Sequence, residues 1–163
     1  MTSRQSLNGF GEAGERWVAQ ELRERGLTVE WIGSRTDYDL LIEGCAKGEV
    51  KSAFLSDNSN HRGSGRWQFS LRRNGVLVDE HVLFLVCYQD LESDPLAVFV
   101  IPGDALDAEL SKIDITSADP RDYGGQWARF RDAWDVVDRV VARLPARKPE
   151  LIRPRVQDEE VPF

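Results

Sequence analysis

Asp37-Tyr38-Asp39-Leu40-Leu41-Ile42, followed after a short interval by Gly48-Glu49-Val50-Lys51-Ser52-Ala53, reads as two short strands joined by a tight turn. In the second strand Glu49 and Lys51 stand at i and i+2, which strand geometry puts on one face about 7 Å apart. Val50 then points the other way, into a core. Asp39 lies on the preceding strand. Facing side chains of an antiparallel pair sit about 5 Å apart, so Asp39 and Glu49 are placed to converge on one ion, with Lys51 beside them.

Upstream, Phe10, Gly14, Trp17, Val18 and Leu22 recur at helical spacing, predicting a helix from Gly9 to Arg25 that Gly26 ends. Thr28 to Ile32 has the composition of a strand, and Gly33-Ser34-Arg35-Thr36 that of a turn. Downstream, Leu55 to Arg66 is too polar and glycine-rich to pack, which predicts a mobile loop. Trp67 to Leu71 alternates with period two, so Trp67, Phe69 and Leu71 face one way and Gln68, Ser70 and Arg72 the other. Val82 to Tyr88 is a continuous apolar run, as expected of a central strand buried on both faces, and Leu96 to Ile101 resembles another strand.

After Pro102-Gly103 the pattern predicts a short helix to about Leu110, then an edge strand at Lys112 to Thr116. A last helix is expected from about Gln126 to Leu144, with Trp127, Phe130, Trp134, Val137, Val141 and Leu144 on one core-facing stripe. Pro145 marks its end. The expected organisation is one α/β domain over residues 1–144 and a disordered tail over 145–163.

Composition narrows the function classes. The 163 residues, 41% hydrophobic and 30% charged, suffice for one domain with a real core. The amino-terminal residues lack the apolar run of a signal peptide, and no segment approaches the roughly 20 apolar residues that span a bilayer, so a cytoplasmic protein is expected. Cys45 and Cys87 match no metal-binding spacing and make no disulfide framework. A net charge of -7 argues against a protein that coats nucleic acid electrostatically. It leaves open a metal-dependent nuclease, whose clustered carboxylates are offset locally by bound cations.

The chemistry of the opening stretch follows from its donors. Magnesium prefers oxygen ligands and keeps several waters, so one or two carboxylates plus substrate phosphate oxygens suffice to hold it. A lysine beside them can orient the attacking water while the metal offsets charge on the phosphate. A Glu-x-Lys triplet by itself is weak, because charges alternate on many solvated strand faces. The upstream acid, the hairpin and the acid-bearing helix supply the context.

These residues resemble the PD-(D/E)xK nuclease superfamily, and within it the archaeal Holliday junction resolvases and related small endonucleases. The resemblance covers roughly Gly9 to Leu71: a Gly-Glu-Arg helix, Asp39 on the second strand, Glu49-Val50-Lys51 on the third, then an aromatic strand. It implies a restriction-endonuclease-like fold, a mixed central β-sheet flanked by helices. It also implies a magnesium- or manganese-dependent DNA endonuclease with Asp39, Glu49 and Lys51 catalytic. The helix acid that assists the metal or its water maps onto Glu15, with Glu12 the less favoured choice, one helical turn away. Tyr38 stands where the family usually has proline, a position at which it tolerates variation. The resemblance further points to Gln68 and Ser34 as polar residues near the site.

Arg62, Arg66, Arg72 and Arg73 lie in or just after the polar loop, where they are expected to contact the DNA backbone or simply to keep the loop soluble. His61 reads as a bystander. A second resemblance lies at the carboxyl end: Asp158-Glu159-Glu160-Val161-Pro162-Phe163 is similar to the acidic tip of bacterial single-stranded-DNA-binding proteins, which docks on replication and repair partners. Such a tip puts a terminal Phe in an apolar pocket and its acids against basic residues. The expected activity is phosphodiester hydrolysis in DNA, on branched, Holliday-junction-like or repair substrates, by a homodimer if the cut is symmetric. The alternative is a non-catalytic DNA- or protein-binding module that keeps the nuclease fold.

Overall fold

A computed structural model describes residues 4–33, 38–55, 66–71, 81–107 and 109–145, with side chains described from Gly11 onward. Helix α1 (Arg4–Glu24) leads into strand β1 (Val29–Trp31), then the hairpin of β2 (Leu40–Ile42) and β3 (Ala46–Phe54). Strand β4 (Trp67–Ser70) follows, then β5 (His81–Tyr88), β6 (Ala97–Pro102), β7 (Lys112–Ile115) and helix α2 (Asp135–Arg143). Among the described residues no helix is long and apolar enough to cross a membrane.

The main sheet has the order β1-β2-β3-β5-β6. Its pairings are antiparallel except β3 with β5, which run parallel, so the sheet is mixed as expected. The apolar run at β5 sits between β3 and β6 and is buried from Val82 to Tyr88, which is what a strand covered on both faces requires.

Two helices share one face of this sheet. Val50 of β3 stands beside Phe84 of β5. Phe84 stacks on Trp134 at 6.0 Å, just before α2, and Trp134 meets Trp17 of α1 at 6.3 Å. A Cβ on Gly14 would collide with Ser52 Oγ, so the missing side chain is what lets α1 lie this close to β3. On the opposite face Tyr123 meets Phe99 edge-on at 6.0 Å. Strands β4 and β7 form a separate antiparallel ribbon whose Trp67, Phe69, Ile113 and Ile115 join the common core. Cys45 and Cys87 are buried thiols, and burial pushes Cys87 far above its ordinary value, as expected of inert structural cysteines.

Two sequence expectations need correction. The helix expected after Gly103 is a single 3-10 turn, Gly103–Ala105, with Leu106 already extended. Asp107 Oδ1 accepts from the Glu109 N–H at 3.0 Å, a local side-chain bond that competes with helix continuation. The long final helix is also broken. Only Asp135–Arg143 is α-helical, preceded by a 3-10 turn at Ala128–Phe130. Between them Arg131 bridges to Phe99 at the outer edge of β6, and Asp132, at φ 52°, donates its N–H to Val98 O at 2.7 Å. Unsatisfied edge groups of β6 thus outcompete helical bonding. The aromatic stripe nevertheless lies in the core, with Trp127, Phe130, Trp134 and Val137 all buried. The polar loop lies outside the described residues except for Leu55 and Arg66, and so does the tail beyond Pro145.

Candidate functional site

The β2–β3 turn sets the register on which the site depends. Its central residues Glu43 and Gly44 have φ of 54° and 69°, the handedness that matches the twist of a hairpin, and the Cys45 N–H closes it on Ile42 O at 3.0 Å. Leu40 therefore pairs with Gly48, so Asp39 comes opposite Glu49. Asp39 sits one residue before β2 and extends its bonding pattern. Its N–H donates to Gly48 O at 2.8 Å, and its carbonyl accepts from Ile32 and Gly33 at 2.8 and 3.2 Å. Its Oδ2 accepts the Val50 backbone N–H at 2.8 Å. The carboxylate is thereby tied to the residue between Glu49 and Lys51.

Glu49 is the buried acid of the core region, 7% exposed, and its Oε2 lies 3.9 Å from Lys51 Nζ. The third acid comes from α1. Trp31 Nε1 donates to Glu15 Oε1 at 2.8 Å, and the Arg16 guanidinium lies 4.3 Å above the Trp31 ring. Burial pushes the Glu15 carboxyl up to about 7. The Trp31 bond opposes that rise, while the charge and hydrogen bonding of Asp39, and then the charge of Glu12, add to it. Glu12 itself is exposed and pairs with Arg16 at 3.7 Å, so of the two helix acids Glu15 is the one beside Asp39. The Tyr38 ring receives Lys47 Nζ at 5.4 Å from its centroid.

Glu15, Asp39, Glu49 and Lys51 thus share one neighbourhood. They do not form a closed cage: among the described residues no group of three or more His, Cys, Asp or Glu is arranged to hold a metal ion. The donor set still suits a hard cation. Two carboxylates on facing strand positions are the number magnesium or manganese needs when waters and phosphate oxygens complete the shell.

Gln68 projects from the exposed face of β4; with its amide turned so that the oxygen faces Arg66, that oxygen accepts from Arg66 Nη2 and Nε at 2.9 and 3.1 Å. Arg62, Arg72, Arg73, Ser34, His61 and the tip residues Asp158, Glu159, Glu160, Pro162 and Phe163 lie outside the described residues. Sequence reading missed Trp31, which holds Glu15, and the Val50 N–H, which holds Asp39. Neither leaves a pattern in composition or spacing. It also gave no role to Lys112 and Asp114, whose meeting with Arg66 needs the β4–β7 pairing.

No protein-family model and no curated protein matches the chain. Among solved structures it is similar to the bacterial homing endonuclease I-Ssp6803I, at 25% sequence identity and a TM-score of 0.61, over 88% of this chain and 97% of that one. The mixed sheet flanked by helices is accordingly a nuclease-like fold.

Proposed function

We propose that the protein is a DNA endonuclease of the PD-(D/E)xK type, dependent on magnesium or manganese. The observation that carries this reading is the Asp39 carboxylate held on the Val50 N–H, between Glu49 and Lys51. The likeness to a homing endonuclease supports the same reading. Asp39 and Glu49 would hold the metal, with Glu15 supporting it or its water. The cation, when bound, offsets charge on the scissile phosphate and favours ionisation of the attacking water. Lys51 donates hydrogen bonds to that water or to a phosphate oxygen as the water oxygen bonds to phosphorus and a P–O ester bond breaks. Glu15, whose carboxyl burial raises to about 7, accepts the proton that this water gives up, and the departing ester oxygen takes a proton from solvent. Arg62, Arg66, Gln68, Arg72 and Arg73 would contact the DNA.

Finer features belong to the same proposal. Branched, Holliday-junction-like or repair DNA is the favoured substrate class, a homodimer would place two sites for symmetric cutting, and the Asp158–Phe163 tip would dock on a replication or repair protein. The test is a cleavage panel of linear, nicked, flapped and four-way DNA with magnesium or manganese. Cleavage by wild type that is lost in Asp39→Ala and Lys51→Ala supports the reading. Cleavage surviving in both overturns the site. DNA binding without cleavage of any substrate makes the chain a binding module that keeps the fold. Deleting Pro162 and Phe163 should abolish partner capture and leave cleavage intact.

A further inference from the structure

The β4–β7 ribbon has one face in the core and the other in solvent. Trp67, Phe69, Ile113 and Ile115 are buried, whereas Gln68, Ser70 and Lys112 are exposed. The register sets Gln68 against Asp114 and Ser70 against Lys112. On this outer face Asp114 Oδ2 stands 3.8 Å from Arg66 Nη1 and 3.9 Å from Lys112 Nζ. One carboxylate is shared by two cations, so the face carries a local positive excess in a chain of net charge -7. With the Gln68 amide turned so that its oxygen faces Arg66, the orientation that satisfies both groups, Arg66 donates twice to that oxygen and the Gln68 Nε2 group is left as a donor.

We propose that this face reads duplex DNA in the major groove, taking guanine N7 and O6 as its acceptors. The inference rests on the endonuclease reading and adds base recognition to it. A two-stranded ribbon fits a groove about 12 Å wide. Side chains at i and i+2 on a strand recur about every 6.7 Å, close to two base-pair steps of roughly 3.4 Å. The face therefore keeps step with the stacked bases. Its outward chemistry is rich in donors from Arg66, Lys112 and Gln68, and guanine is the base that offers two acceptors side by side in that groove. Asp114 is a positioning residue: it fixes the two cations before DNA arrives, which lowers the ordering cost of binding. Strand β4 lies against β3, which bears Glu49 and Lys51, so the reading face and the candidate site belong to one packed unit.

Selection from a randomised duplex library tests this, using the full chain with Lys51→Ala so that bound DNA stays intact. The expected result is enrichment of guanine at defined positions. Lys112→Ala and Gln68→Ala should each reduce discrimination at one position roughly tenfold, with melting temperatures unchanged because both side chains are exposed. If either alanine variant melts early, Lys112→Met and Gln68→Glu replace it, each close to the original side chain in size while removing its N–H donors. Binding without guanine enrichment, or enrichment that persists in both variants, overturns base reading while leaving the endonuclease reading standing. Failure to bind any duplex overturns base reading, and the endonuclease reading is then decided by cleavage of nicked, flapped or four-way DNA.

Discussion

The Val50 backbone N–H donates to Asp39 Oδ2 at 2.8 Å, tying an acid of one strand to the residue between Glu49 and Lys51 on the next. This bond makes Asp39 both a structural and a chemical residue, and two substitutions separate the roles. Asp39→Ala leaves the Val50 N–H without its acceptor and should cost about 1–3 kcal/mol. Asp39→Asn keeps an acceptor oxygen, so its melting temperature without divalent cations should stay near wild type. Magnesium should raise the melting temperature of wild type, and the shift should vanish in Asp39→Asn. An equal magnesium shift in both proteins would remove Asp39 from the metal site.

Lys51 lies 3.9 Å from Glu49 Oε2 on the exposed side of the pair. Lys51→Ala should lower cleavage roughly 100-fold or more, the scale for loss of one group that stabilises developing charge. Its affinity for uncut DNA should change little. Loss of binding in parallel with cleavage would assign Lys51 to DNA contact instead.

The Glu15 carboxyl stands at about 7 in the fold against 4.5 ordinarily, chiefly through burial. The folded state therefore holds this proton more tightly than the unfolded chain. The stability it contributes is complete below pH 4.5 and is lost as pH rises through about 7. Urea unfolding of the metal-free protein should show a decline across that window. Glu15→Gln, which mimics the protonated acid and can still accept from Trp31, should flatten it. A variant whose decline matches wild type would place the titration elsewhere.

Gly14 packs where a Cβ would meet Ser52 Oγ, a buried hydroxyl with no hydrogen-bond partner among the described residues. Gly14→Ala should therefore destabilise by about 1–3 kcal/mol through overpacking. Ser52→Ala removes the colliding atom and should be close to neutral alone. The double variant should recover most of the loss, a coupling that a double-mutant cycle reads directly. Additive effects would show that α1 does not bear on β3 through this contact.

Much of the fold is written in alternation and apolar runs. Trp67 and Phe69 face the core while Gln68 and Ser70 face out, and His81–Tyr88 is the buried strand its composition describes. Such patterns are local because strand and helix periods act over a few residues. The final helix was illegible for the complementary reason. Trp127, Phe130 and Trp134 satisfy helical spacing, yet Arg131 and Asp132 bond to the edge of β6, more than 30 residues away in sequence.

The opening stretch shows the same division within the site. The sequence by itself determined the donor types, the side-by-side placement of Glu49 and Lys51, and the hairpin that brings Asp39 opposite them, because each depends on strand period and a short turn. Tertiary structure alone decided that Glu15 and not Glu12 stands beside Asp39, since the choice depends on how closely Gly14 lets α1 approach β3 and on where Trp31 donates. It also decided that Lys112 and Arg66 share Asp114, because that meeting comes from pairing two strands over 40 residues apart. Contacts between elements are set by packing, and packing leaves no period in a sequence.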